Sequence, residues 1–186
     1  VGSEMCIRDR SDSDLKQLNF PQTISDSSIK GIILVEICDK VVCDALSQFN
    51  LPIVSVDMPN VPFEELNGID VVTMESKKNL KKIINQLIEK GAESFGFVGD
   101  LYSPNVSRGF QERYNALSEC LAEHQLPLNQ KNCLLHQTPE DFRNFQTTVN
   151  NLQAMISLPD VFICGNDWTA TVSYTHLRAH ETVLDL

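Results

Sequence analysis

The chain has 186 residues, of which 42% are hydrophobic and 22% charged, and its formal net charge is -10. This is the composition of a globular domain, and no apolar run approaches the ~18 residues of a membrane span. With 25 acidic residues against 15 basic ones and no basic block, the chain itself is a poor candidate for binding nucleic acid or an anionic membrane surface.

The two ends of the chain do not continue the patterns beside them. Residues 1–10 and 172–186 resemble peptides translated from sequencing adapters, and the second segment interrupts a helix predicted to begin near Asp167. We therefore predict that both are artefactual tails and exclude them from fold reasoning. This also removes His176 and His180, whose spacing of four residues would otherwise suggest a weak metal site on a helix. We predict no metal and no cofactor.

The first half of the remaining chain begins with a polar lead over residues 11–28. Strands are then predicted over residues 31–37, 52–57 and 69–74, with a proline-containing loop between the last two. Helices are predicted after Asp39, which is suited to cap the first of them, and from Glu75 to Gly91, where the glycine is suited to end the second.

The second half alternates strand and helix. Strands are predicted over residues 95–98, 133–136 and 161–164, and helices over residues 107–123, over residues 139–156 and from Asp167 onward. Helical crossovers imply parallel strands with helices on both faces, so the predicted fold class is α/β.

Six cysteines occur in the chain, and no two are spaced as Cys-x-x-Cys. Most lie among Val, Ile, Leu or Phe. Buried free thiols in a reducing cytoplasm are favoured over a disulfide framework or a metal site.

Small and polar residues follow two of the predicted strands. Gly99 and Asp100 end one, and Gly165, Asn166 and Asp167 follow the other. Open α/β sheets place their ligand sites at the carboxyl ends of strands. Asn166 is a candidate ligand contact because its amide can donate and accept, whereas capping of the next helix explains Asp167 completely.

Two residues of the helix over 107–123 are further candidates. The Arg113 guanidinium can bind two sugar hydroxyls or a carboxylate, but it can equally pair with Glu112 or Glu119 on the surface. Phe110 can stack on a sugar ring or pack in the core, and an aromatic residue at this spacing is more often core.

Catalytic and nucleotide-binding motifs are missing from the sequence. It has no Gly-x-Ser-x-Gly, no nucleophile in a recognisable setting and no GxxxxGK[ST] loop. Gly96-x-x-Gly99 lacks the third glycine of a dinucleotide fingerprint. We predict a ligand binder and not an enzyme.

Taken in order, several segments resemble the effector-binding domain of lactose-repressor and galactose-repressor (LacI/GalR) type transcription regulators, which is related to periplasmic sugar-binding proteins. These segments are Lys30-Gly31-Ile32-Ile33-Leu34, Leu51-Pro52-Ile53-Val54-Ser55-Val56-Asp57, Leu87-Ile88-Glu89-Lys90-Gly91 before Phe95-Gly96-Phe97-Val98-Gly99, Glu112-Arg113-Tyr114-Asn115-Ala116-Leu117 and Leu158-Pro159-Asp160-Val161-Phe162-Ile163-Cys164-Gly165-Asn166-Asp167. The resemblance runs from about Ile29 to Ala170.

The resemblance implies particular effector contacts. The family's Arg-x-x-Gly helix supplies an arginine, which Arg113 matches although Ala116 replaces the glycine, and its Asn-Asp pair supplies the asparagine matched by Asn166. Many members have Asp-Asn before the first crossover helix, where this chain has Met74 and Glu75. Glu75 can still reach ligand hydroxyls.

The resemblance also implies a two-lobed fold of the periplasmic-binding-protein type, incomplete at both ends, with residues 11–73 in the first lobe and 74–171 in the second. We expect a cytoplasmic, sugar-sensing domain of a bacterial regulator that dimerises when complete. It would reach operator DNA only through a helix-turn-helix that this chain lacks. The alternative is a periplasmic or extracellular sugar-binding protein of a transporter.

Overall fold

The computed structural model describes residues 17–101, 107–136 and 145–184. The order of elements is β1 (Ile32–Val35), α1 (Lys40–Ser47), β2 (Ile53–Val56), β3 (Ile69–Val72), α2 (Lys77–Glu89), β4 (Phe95–Asp100), α3 (Arg108–Glu123), β5 (Cys133–His136), α4 (Phe145–Gln153), β6 (Val161–Cys164) and α5 (Asp167–Leu184). The predicted tail at residues 1–10 and the start of the predicted helix over 139–156 lie outside the described residues.

The six strands of the described residues form two parallel sheets of three strands, ordered β1-β2-β3 and β5-β4-β6. The predicted α/β class with parallel strands is therefore confirmed. β2 and β3 are connected without an α-helix: the loop contains Pro59 and Pro62, which interrupt helical hydrogen bonding, and only a short 3-10 helix forms at Phe63–Glu65.

Local sequence signals determine several helix ends. The Asp39 carboxylate accepts a hydrogen bond of 2.8 Å from the Val41 amide and caps α1. Gly91 follows α2 with a φ of 99°, a left-handed conformation that glycine adopts without strain. The predicted cap at Asp39 and the predicted stop at Gly91 are both confirmed.

Each sheet packs against its own hydrophobic core. The first core contains Leu34, Val42, Cys43, Leu46, Ile53, Met58, Leu66 and Ile69, and the second contains Ile84, Phe95, Phe97, Leu117, Cys120, Leu121 and Ile163. All six residues of β4 are buried because this strand lies in the centre of its sheet. The chain that leaves the end of β4 is therefore anchored on a rigid element.

The five cysteines among the described residues are free thiols: Cys38, Cys43, Cys120, Cys133 and Cys164. Burial raises the pKa of each, that of Cys38 to about 12 and that of Cys43 to about 11. Because the thiolate is the reactive form, these side chains behave as small apolar groups at neutral pH.

The last helix runs further than the sequence predicts. α5 continues through residues 172–184, where the sequence suggested that the helix is interrupted. The prediction of an interruption was wrong because the segment contains no glycine or proline, so nothing in it stops a helix once the helix has begun. Ser173 is also almost fully buried. The origin of this segment as an artefactual tail stays a prediction.

One face of the first sheet is apolar and exposed. Pairing sets Val35, Val56 and Val72 side by side across β1, β2 and β3. Their exposed fractions are 62%, 42% and 57%, and Ile33 on the same side of β1 is 65% exposed. Parallel sheets normally bury both faces, so this surface favours self-association.

We expect the 186-residue chain expressed alone to associate into oligomers and aggregates. Replacing Val35 and Val56 with threonine should increase the monomeric fraction, because threonine keeps strand propensity and removes apolar surface. Light scattering after size exclusion at several concentrations measures this. Val41→Thr is the matched control, since Val41 is 63% exposed but lies on α1. A monodisperse, cooperatively melting wild-type chain would contradict the expectation.

Candidate functional site

The carboxyl ends of β4 and β6 form a narrow floor of two glycines. The strands pair in register, with Val98 opposite Cys164, and the Gly165 amide donates to the Val98 carbonyl oxygen at 2.7 Å. A Cβ on Gly99 would lie 3.3 Å from the Gly165 Cα. The two backbones therefore approach more closely than larger residues would allow.

The Phe110 ring covers this floor. A Cβ added to Gly165 would overlap the ring, and one added to Gly99 would lie 3.0 Å from its Cδ1 atom. Phe110 thus packs on the glycines, but it is only partly buried and lies outside both hydrophobic cores. Its role as a sugar-stacking residue stays a prediction.

Arg113 reaches the same point from α3. Its Nη1 group donates a 2.8 Å hydrogen bond to the Gly165 carbonyl oxygen. The guanidinium lies over Gly109, where an added Cβ would be 3.1 Å from Nη1. Arg113 is therefore adjacent to Asn166, so the structure brings these two predicted site residues together. The remaining guanidinium N–H groups can donate to a ligand.

Asn166, and not Asp167, caps α5. The Asn166 Oδ1 atom accepts from the Thr169 backbone amide at 2.8 Å, and the Asn166 backbone amide donates to the Thr169 hydroxyl at 3.2 Å. This is a reciprocal cap, for which the residue just before the helix is the right position. Asp167 lies in the first turn and accepts from the Trp168 amide at 2.9 Å. The cap assigned to Asp167 from the sequence was wrong by one residue.

The cap uses only part of the Asn166 side chain. Its oxygen is engaged with Thr169, while its Nδ2 amino group is the part that can donate to a ligand. Asn166 is partly buried and Asp167 is exposed. Capping therefore orients the Asn166 amide and fixes the direction in which Nδ2 points.

Glu75 lies at the start of α2, beyond the end of β3. Its side chain is exposed and its Oε1 atom accepts from the Lys78 amide at 2.8 Å. Within the part of the chain that the structure describes, no hydrogen bond or ion pair joins Glu75 to Arg113 or Asn166. The structure thus groups Arg113, Phe110 and Asn166 around Gly165 and leaves Glu75 with the helix that it caps.

Sequence reasoning missed a pair that connects the two sheets. The Ser107 hydroxyl, at the start of α3, donates a short hydrogen bond to the Asp57 carboxylate, which follows β2. The same hydroxyl oxygen accepts from the Gly109 amide at 3.1 Å. The Ser107 hydroxyl and the Arg113 guanidinium therefore both lie beside Gly109. The available signal was that Asp57 is the last residue of a predicted strand, so that its carboxylate stands at a strand end as Asn166 does after β6.

The backbone around Asp57 is unusual. Asp57 and Glu36 have φ values of 69° and 57°, in the left-handed region that non-glycine residues seldom adopt. They directly follow the paired strands β2 and β1. The Asp57 carboxylate accepts from the Met58 amide at 2.8 Å, which helps to hold the turn. Such strained positions concentrate at functional sites.

Arg108 fastens the loop after β2 to α3. Its amide donates to the Met58 carbonyl oxygen at 3.0 Å, and its Nη1 group donates to the Val61 carbonyl oxygen at 3.2 Å. Its guanidinium lies 4.5 Å above the centre of the Phe63 ring, a favourable cation–π geometry. These contacts and the Ser107–Asp57 bond hold the two sheets together along one side of the strand ends.

Comparison with solved structures identifies the fold. A regulatory protein of the LacI family from Chloroflexus aggregans matches with a TM-score of 0.68 and 16% identity, over 92% of this chain and 59% of that one. A LacI family transcriptional regulator from Lactobacillus casei with bound sucrose matches with a TM-score of 0.63 and 20% identity, over 91% and 58%. The same regulator has a structure with bound glucose.

A third match is a LacI transcriptional regulator from Bacillus cereus, with a TM-score of 0.67 and 18% identity. The chain thus has the periplasmic-binding-protein-like fold of LacI-family effector-binding domains, and the predicted fold is confirmed. The chain spans about half the length of these solved proteins. No protein-family model and no curated protein matches the sequence. Among the described residues, no helix is long and apolar enough to cross a membrane.

Proposed function

We propose that the chain is the small-molecule-sensing part of a bacterial DNA-binding transcription regulator and that its effector is a sugar. The observation that carries the proposal is the convergence of Arg113 and Asn166 at Gly165, beside the Ser107 hydroxyl that bonds Asp57 of the other sheet. A ligand placed there would contact both halves of the fold.

The side chains at this point suit a polyhydroxyl ligand. The planar Arg113 fork can donate to two neighbouring hydroxyls, and the Asn166 amino group can donate to a third. The Asp57 carboxylate can accept from a hydroxyl in place of Ser107. Because these groups belong to two sheets, a ligand that engages all of them stabilises one arrangement of the halves over others.

The wider role follows the proteins that share the fold. The matched proteins are transcription regulators, and one of them holds sucrose or glucose. We propose a cytoplasmic protein that dimerises when complete, reaches operator DNA through a helix-turn-helix outside this chain, and binds its effector without transforming it. The free thiols, of which Cys43 and Cys120 are buried and three are partly buried, support a reducing compartment over the alternative of a secreted transport protein.

Two measurements test the proposal. The complete coding sequence should encode a helix-turn-helix before this domain, whereas a signal peptide followed by a lipid-anchor cysteine would indicate the transport protein instead. The complete gene product should bind at least one sugar from a panel containing glucose and sucrose in titration calorimetry. A protein that binds operator DNA but no member of a broad sugar panel would refute the sugar-sensing role alone.

A further inference from the structure

The charges around the strand ends bear on which sugars the proposed site accepts. Helix N-termini are the usual places where α/β folds hold phosphate, because free amides and the helix dipole favour an anion there. α1, α2, α3 and α5 all begin beyond strand ends, and the structure describes the first turn of each. If these amides were available, sugar phosphates would be natural ligands.

Each of these four first turns already binds an oxygen from its own neighbourhood. The acceptors are Asp39 for Val41 in α1, Glu75 for Lys78 in α2, Ser107 for Gly109 in α3, and Asn166 and Asp167 for Thr169 and Trp168 in α5. Three of the acceptors are carboxylates. They supply the negative charge that a phosphate would otherwise bring to the helix starts.

More carboxylates lie at the strand ends. Glu36, Asp57 and Asp100 stand at the ends of β1, β2 and β4, and Asp100 is buried. Burial and, after it, the negative charge of Asp57 raise the pKa of the Cys38 thiol to about 12. A ligand phosphate beside Ser107 would be repelled by the Asp57 carboxylate, which is partly buried.

Positive charge near these positions is mostly neutralised. Three cations at the helix starts pair with carboxylates: Lys40 with Asp44 at 2.7 Å, Lys77 with Glu119 at 2.8 Å and Arg108 with Glu112 at 2.8 Å. Among the described residues at these positions, Arg113 and the exposed Lys78 have no ion pair, and one Arg113 N–H group is already donated to Gly165. The carboxylates at the strand ends and first turns therefore outnumber these two cations, so the balance among the described residues is negative.

We infer that the site selects uncharged sugars and rejects their phosphorylated forms. This inference rests on the proposed sugar-sensing function and specifies the ligand class of the same site. Polyhydroxyl groups can donate to Asp57 and accept from Arg113, whereas a phosphate only accepts and adds negative charge. Recognition of the sugar therefore relies on uncharged hydroxyl groups that bond a charged donor, Arg113, and a charged acceptor, Asp57.

The test compares matched neutral and anionic ligands on the complete gene product. Glucose with glucose 6-phosphate and sucrose with sucrose 6-phosphate are titrated by calorimetry at fixed ionic strength. We expect the uncharged member of a pair to bind at least about tenfold more tightly. A phosphate that binds as tightly or more tightly would overturn the inference while leaving the sensing function intact. If no sugar of either kind binds, the proposed function fails first.

A charge-removing variant makes the test independent of ligand shape. Asp57→Asn keeps the size of the side chain and its tolerance of a left-handed backbone, so the turn should survive. It should narrow the preference for glucose over glucose 6-phosphate by severalfold. Glu89→Gln removes one charge at the opposite end of α2 and should leave the ratio unchanged. If the ratio of the two Kd values, for glucose and for glucose 6-phosphate, were the same in wild type and Asp57→Asn, the role of this carboxylate would be overturned.

Discussion

Arg113→Ala is expected to weaken sugar binding by the complete gene product by about 2 kcal/mol or more, which is roughly a thirtyfold rise in Kd. The guanidinium lies against Gly165 and beside Asn166, and the substitution removes the strongest donor at this point. Titration calorimetry with the sugar that binds best to the wild type measures the loss. An unchanged Kd would remove Arg113 from the site.

Controls separate binding from folding for this variant. Arg113→Lys keeps the charge but lacks the planar fork, so it should recover only part of the affinity. Ser118→Ala changes an exposed residue on the same helix and should leave the Kd unchanged. Because Arg113 also satisfies the Gly165 carbonyl group, the melting temperature of each variant is compared as well. A binding loss explained by unfolding would appear as an equal loss in the fraction folded.

Gly96→Ala is expected to lower the free energy of unfolding by about 3 kcal/mol, the upper part of the range for overpacked cores. Gly96 lies within the buried central strand β4, where an added Cβ would overlap the Asn132 carbonyl oxygen and lie 2.9 Å from the Phe162 ring. The obstacle is partly backbone, which cannot rotate away. The change should therefore disturb the sheet that carries the site.

The free energy of unfolding of Gly96→Ala is measured by urea unfolding of the 186-residue chain. The chain also carries Val35→Thr and Val56→Thr, which should reduce aggregation. Gly109→Ala is the matched control, because its added Cβ would meet only the ends of the flexible Arg113 and Ser107 side chains. That variant lies in a helix and should change stability by no more than about 1 kcal/mol. If Gly96→Ala proved as mild as Gly109→Ala, the close approach at Gly96 would be wrong.

Local sequence patterns predicted most elements because their causes are local. β5 and β6 have the predicted bounds, and α3 begins one residue after its predicted start at residue 107. The caps at Asp39 and Gly91 follow from the side chain or the backbone freedom of a single residue. These features depend on hydrogen bonds within a few residues and on apolar runs, which are visible without any tertiary contact.

Two questions that the sequence left unresolved or answered wrongly depended on geometry. Asn166 and Asp167 both have capping chemistry, and only the direction in which the chain leaves β6 selects Asn166. Likewise, the sequence alone did not decide whether Phe110 stacks on a ligand or packs against the protein. The two glycines that accept its ring are about ten and fifty-five residues away in the sequence.

The order of residues was enough to predict the α/β class, the positions of the strands and the two strand ends where ligand contacts were expected. It identified Arg113 and Asn166 as candidates because their chemistry is evident from residue type and position. The folded chain was needed to show that Arg113 bonds Gly165 and that Ser107 bonds Asp57 across fifty residues. Such pairings depend on how two sheets pack against each other, and packing brings together residues whose separation along the chain carries no signal.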